Sequence, residues 1–96
     1  MEYKINCLNI TDWETFHTVF QNALKFPDYY GRNMDAWIDC VDDLTDQRTL
    51  IHMTNSSSLK VKAPDILSAF FECAAYVNNR KIGRGEKAQL IVSIDD

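Results

Sequence analysis

Residues 33 to 46, NMDAWIDCVDDLTD, can form a helix only with two unlike sides. At about 100° per residue, Asp35, Asp39, Asp42, Asp43 and Asp46 fall within an arc of roughly 100°, while Met34, Trp37, Ile38, Val41 and Leu44 take the opposite side. One side predicts a core and the other an acid surface. Like charges three or four residues apart each cost roughly 0.2–0.5 kcal/mol, and no Lys or Arg is interleaved to relieve them. Asp42, Asp43 and Asp46 also lie toward the helix C-terminus, where the macrodipole disfavours negative charge. Propensity does not account for such a face, whereas a basic partner outside the chain does. The alternative is a plain solvated surface, although solvated faces ordinarily mix signs.

The rest of the chain supplies a frame for this helix. Glu2 to Leu8 alternates, with Tyr3, Ile5 and Cys7 on one side, and predicts the first strand. Thr11 and Glu14 have the spacing of a capping box, and Trp13, Phe16, Phe20, Ala23 and Leu24 continue at helical spacing from about Asp12 to Lys25. Pro27 disfavours helical geometry at Phe26 and ends that helix. In the loop that follows, Gly31 is free to turn left-handed and Asn33 is available as N-cap for the acidic helix. RTLIHM at 48–53 predicts a second strand, the Ser-rich 54–63 a loop with at most one helical turn, and Pro64 the start of another helix. Its buried face is Ile66, Phe70, Cys73, Ala74 and Val77, it points Glu72 outward, and Asn78 and Asn79 close it. A basic loop, NNRKIGRGEK, leads to the third strand, Leu90 to Ile94.

Strand, two helices, strand, helix, strand implies parallel pairing through crossovers. Right-handed crossovers moving in one direction place the strands in order 1-2-3 with all helices on one face. The expectation is a two-layer α/β fold in which residues 1–96 form a single domain, since 96 residues build one core and not two. The net charge of −4 is uneven: residues 28 to 46 hold six Asp against Arg32, while 80 to 87 hold Arg80, Lys81, Arg84 and Lys87 against Glu86. An acid surface of this kind points to a basic protein and away from nucleic acid.

No basic stretch followed by an apolar run opens the chain, and no apolar segment nears the roughly 18 residues of a membrane span. The reading is a soluble, cytoplasmic protein. Cys7, Cys40 and Cys73 are odd in number and set among apolar residues, which fits reduced packing cysteines. Gly31, Gly83 and Gly85 form no nucleotide-binding pattern. His17 and His52 have no ligand neighbours at metal spacing, so neither metal nor cofactor is assigned. The enzyme alternative is a metal-assisted hydrolase in which Asp35 and Asp39, one turn apart, share a divalent cation or a proton. Such a site wants a pocket and a partner group from another element, and the sequence nominates none.

FPDYYGRNMDAWIDC resembles the signature of the barstar family of ribonuclease inhibitors: apolar, Pro, acid, Tyr-Tyr-Gly, any residue, Asn, apolar, Asp-Ala, two residues, Asp-Cys. Weaker similarity covers most of the chain, including FHTVF at 16–20 and FFE at 70–72. The resemblance implies a three-stranded parallel sheet with helices on one side. It also implies that the loop and helix from Tyr29 to Asp43 plug the basic active site of a secreted ribonuclease, the acids standing in for RNA phosphates. The implied contacts are Tyr29, Asn33, Asp35, Asp39, Asp42 and Asp43, with Asp39 central, Asn33 acting mainly by shaping the loop and Glu72 an outlying acid. A cytoplasmic immunity protein, monomeric when free and 1:1 with its nuclease, is the function so implied; an acidic adaptor for some other basic protein is the alternative. The family's founding inhibitor has tryptophan where this chain has Ile38 and Leu44, and an acid where it has Arg32, whereas the tryptophan here is Trp37, on the core side.

Overall fold

A computed structural model describes residues Met1–Asp96. The elements are β1 (Glu2–Asn6), a single 3-10 turn (Cys7–Asn9), α1 (Trp13–Leu24), α2 (Met34–Leu44), β2 (Thr49–Thr54), α3 (Ser56–Lys62), α4 (Pro64–Gly83) and β3 (Leu90–Ile94). The three strands are all parallel and lie in the order β1-β2-β3, the order that right-handed crossovers moving in one direction give. Ile5 pairs with Met53, and Ile51 with Val92. Ile5, Ile51, Met53 and Leu90 are buried on the helix-covered face, while Lys4 and Ile91 are exposed on the other. There His52 shares a 3.0 Å hydrogen bond with Ser93. The fold is two-layer α/β, and none of its helices is long and apolar enough to cross a membrane.

Aromatic rings from three helices fill the space above the sheet. Phe16, Phe20, Trp37 and Phe70 are fully buried, and Phe20 and Phe70 meet the Trp37 ring edge-on at 5.7 and 5.8 Å. Trp37 Nε1 is the one buried side-chain polar atom without a hydrogen-bond partner.

Several boundaries differ from the sequence expectation for local reasons. The cap of α1 is shifted by one residue: Asp12 accepts from the Thr15 backbone N–H at 2.8 Å, and Thr15 Oγ1 accepts from the Asp12 N–H at 3.1 Å, so Thr15 takes the role assigned to Glu14. Lys25 ends α1 in the left-handed region at φ 58°. β1 stops at Asn6 because Cys7–Asn9 turn into the 3-10 segment. Residues 56–62, expected as loop, are a helix too short to show a period in sequence, holding Leu59 in the core.

The largest difference is in α4, which continues past Asn78 and Asn79 to Gly83. Asn78 does not cap. Its Nδ2 donates to the Leu90 carbonyl at 2.9 Å and its Oδ1 accepts from the Leu90 N–H at 3.0 Å, stitching the helix to β3. Arg80 and Lys81, expected in a basic loop, therefore stand on α4, which packs against α2.

Candidate functional site

The loop before α2 is fixed from beneath. Tyr30 is buried with its hydroxyl on His17 Nδ1, and its ring lies 4.8 Å from that of Phe26. Burial, and then the nearby Arg32 charge, lower the His17 pKa and keep the imidazole neutral; burial raises the Tyr30 pKa and keeps the phenol protonated. Arg32 folds back onto α1, donating to the Glu14 carbonyl at 2.9 Å, Thr18 Oγ1 at 2.8 Å and Gln21 Oε1 at 3.1 Å. Arg32, and not Gly31, takes the left-handed turn, at φ 53°. Gly31 lies close to the start of α2: a Cβ there would stand 3.4 Å from Ala36 Cβ and from Asn33 Nδ2, the near limit of ordinary contact. With its neighbours held this way, Tyr29 projects outward and is 88% exposed.

Asn33 caps α2 as its residue type predicts, accepting from the Ala36 N–H at 2.8 Å, and its Nδ2 donates to the Gly31 carbonyl at 3.3 Å. Asp35, Asp39 and Asp43 are exposed along the helix. Asp46 lies beyond the end of α2 and is not part of that row.

The picture of an unrelieved five-acid arc is corrected by α4. Asp42, expected to face outward with the others, has a side chain only 10% exposed, because α4 brings three cations to it. Lys81 Nζ sits 2.9 Å from Asp42 Oδ1, Arg84 makes a two-pronged contact, and Arg80 Nη2 lies 3.6 Å from Oδ2. The hydrogen bond from Arg84, followed by that from Lys81, holds the Asp42 carboxyl well below the usual carboxylate range. Asp39 is paired too, by Arg80 Nη1 at 2.9 Å, yet stays 68% exposed.

Two concavities meet at Asp39. A cleft of about 530 Å³ runs beneath the loop, lined by Tyr29, Gly31, Asp39, Asp43 and Leu44 among others. A groove of about 490 Å³ between α2 and α4 is lined by Asp35, Ile38, Asp39, Glu72, Tyr76 and Arg80 with Cys73. Leu44 and Ile38 thus border one concavity each. Glu72 is exposed, as its helical position predicts. Tyr76 and Arg80 were not singled out as site residues from sequence; they follow Glu72 at four-residue spacing and belong to one stripe only when α4 runs to Gly83.

No group of three or more His, Cys, Asp or Glu side chains is placed to hold a metal ion. The Cys40 and Cys73 thiols are half-buried, and burial together with neighbouring acids raises both pKa values, so neither is a ready nucleophile. Burial pushes Cys7 up to about 11. What remains is an acid-lined, aromatic-flanked surface with no catalytic constellation on it.

The profile of the barstar (barnase inhibitor) family matches residues 1–93. A Bacillus subtilis (strain 168) protein, named "Putative ribonuclease inhibitor YrdF", is 35% identical over 63 residues, covering 62% of this chain and 69% of that protein. The chain belongs to the barstar family. Proteins of that family are inhibitors and not enzymes, and this chain is read as one of them.

Proposed function

We propose that this protein is a cytoplasmic inhibitor of a secreted ribonuclease, an immunity protein that seats α2 and the Tyr29 loop in the nuclease's basic active site. The observation that carries this reading is the row Asp35, Asp39 and Asp43 beside a Tyr29 that is 88% exposed on an internally tied loop. Carboxylates one turn apart present charges where a polyanionic substrate would present phosphates, so they compete for the same Arg and Lys side chains. Tyr29 supplies an aromatic anchor of the kind that dominates interface energetics.

Tyr29, Asp35, Asp39, Asp43 and Glu72 form the contact surface in this proposal. Asn33 serves from the same surface by capping α2, and Asp42 by fastening α2 to α4. The free protein is a monomer and the complex 1:1. The same acid surface repels nucleic acid, so inhibition works by occupying the enzyme and not by sequestering RNA.

The test is inhibition of barnase, and of any secreted ribonuclease that sequencing finds encoded beside this chain's own gene, with purified protein. Stoichiometric inhibition that Tyr29→Ala and Asp39→Ala both weaken is the expected result. Failure to form a complex with either enzyme by calorimetry overturns the reading.

A further inference from the structure

We propose that Arg80 is an internal competitor for Asp39, which a partner's cation must displace, and that Arg80 thereby sets how cationic a ribonuclease must be to be captured. The inference rests on the inhibitory reading above and adds a specificity-determining residue to it.

The three cations that α4 turns toward α2 are not equivalent. Lys81 is 3% exposed and Arg84 grips Asp42 with two parallel bonds, so Asp42 stays compensated without Arg80. Arg80 stands 3.6 Å from Asp42 but makes its hydrogen bond to Asp39 Oδ1 at 2.9 Å. That pair lies in the open, Arg80 at 36% and Asp39 at 68% exposure, where an ion pair contributes little and is readily exchanged. Asp39 Oδ2 makes no hydrogen bond within the chain.

A guanidinium or ammonium approaching Asp39 comes against the Arg80 charge, and like charges at contact distance repel. Arg80 has somewhere to go. The groove that it lines also holds Asp35 and Glu72, two carboxylates with no salt bridge of their own. A strongly basic cleft can drive this exchange, whereas a partner with one weakly held cation loses to Arg80. The internal pair thus excludes weakly basic surfaces while leaving the main carboxylate available to a strongly basic one.

The test uses whichever of the two ribonucleases the wild type inhibits and compares Arg80→Gln, Arg80→Lys and Asp39→Ala, alone and combined. Arg80→Gln should tighten inhibition by about fivefold or more and raise the association rate. Arg80→Lys, which keeps the charge, should stay within about twofold of wild type. In an Asp39→Ala background Arg80→Gln should have little effect, because the competitor has lost its object. Unchanged or weaker inhibition by Arg80→Gln overturns the proposal, and so does an equal gain with and without Asp39, which would mark a general charge effect. Thermal melting of each variant separates a folding defect from a binding one. Should the wild type inhibit neither enzyme, the inhibitory reading and this inference fall together; should Asp39→Ala weaken inhibition while Arg80→Gln fails to tighten it, only the competitor is lost.

Discussion

Arg84 and Asp42 meet fork to fork across two helices, Nη1 donating to Oδ2 and Nη2 to Oδ1, both at 2.9 Å. Lys81 reinforces the contact by donating to the Asp42 backbone carbonyl at 3.0 Å as well as pairing with its carboxylate. A carboxylate near a helix C-terminus is disfavoured in isolation. Here α4 and its C-cap place cations at that end, and the acid becomes the point where α2 is fastened.

Asp42→Ala should therefore be a stability mutation. Removing it leaves Lys81 buried without its counter-charge, and breaking a pair of this kind costs about 3 kcal/mol. Asp35→Ala, at an exposed position without a salt bridge, should stay within about 0.5 kcal/mol of wild type. Urea titration of both variants checks this, and equal midpoints would show that the Asp42 cluster contributes nothing.

The same cluster predicts an acid-limb dependence. Asp42 has a folded-state pKa below its unfolded value of about 3.9, so the native state binds fewer protons there than the unfolded chain. The contribution is present in full above about pH 4 and is lost as pH falls from there through the folded-state pKa. Asp42→Asn should flatten stability against pH in that window relative to wild type. Parallel curves for the two proteins below about pH 4 would contradict the assignment.

Asp39→Ala should be costlier for binding than any other single acid removal, since Asp39 borders both concavities. A central desolvated charge contributes about 2 kcal/mol or more, roughly 30-fold in affinity, on a general scale to which the family's founding complex itself contributed. Asp46→Ala, beyond the helix, should bind as wild type does. Folding stability should barely move for Asp39→Ala, because the like-charge relief is set against loss of an exposed pair with Arg80. Inhibition titrations of the two variants decide it, equal affinities removing Asp39 from the centre of the interface.

Association should be steered by the field of the exposed acid row. The on-rate ought to fall steeply between low and physiological ionic strength, where the Debye length shrinks to about 8 Å. Stopped-flow mixing across that range is the measurement, and a flat response would place the binding surface elsewhere.

Where local pattern and tertiary packing agree, the sequence was a sufficient guide. Alternation marked β1, Asn33 announced the start of α2, and the apolar side of the wheel put Trp37 in the core. Parallel pairing followed from connectivity, while the order β1-β2-β3 also needed both crossovers to move in one direction, which the sequence supported only weakly. The site was legible as a set of acids but not as an arrangement. Asn78 has the residue type of a helix end, and only its bonds to Leu90, across the next turn of chain, reveal that α4 passes through it. Once α4 was cut short, Arg80, Lys81 and Arg84 could not be matched to acids some forty residues earlier, and the surface looked more repulsive than it is. Such long-range ion pairs leave no periodic trace in either segment.

The Arg32 clamp has a kinetic consequence. Three hydrogen bonds to α1 and a left-handed backbone hold the turn that presents Tyr29 before anything touches it. A loop ordered in advance has little backbone entropy left to lose, so the ordering cost on binding falls mainly on the exposed Tyr29 side chain, about 0.5–1.5 kcal/mol. Any partner that closes over Tyr29 meets a backbone already in place, and its residence time is governed by breaking contacts and not by the loop refolding beneath it.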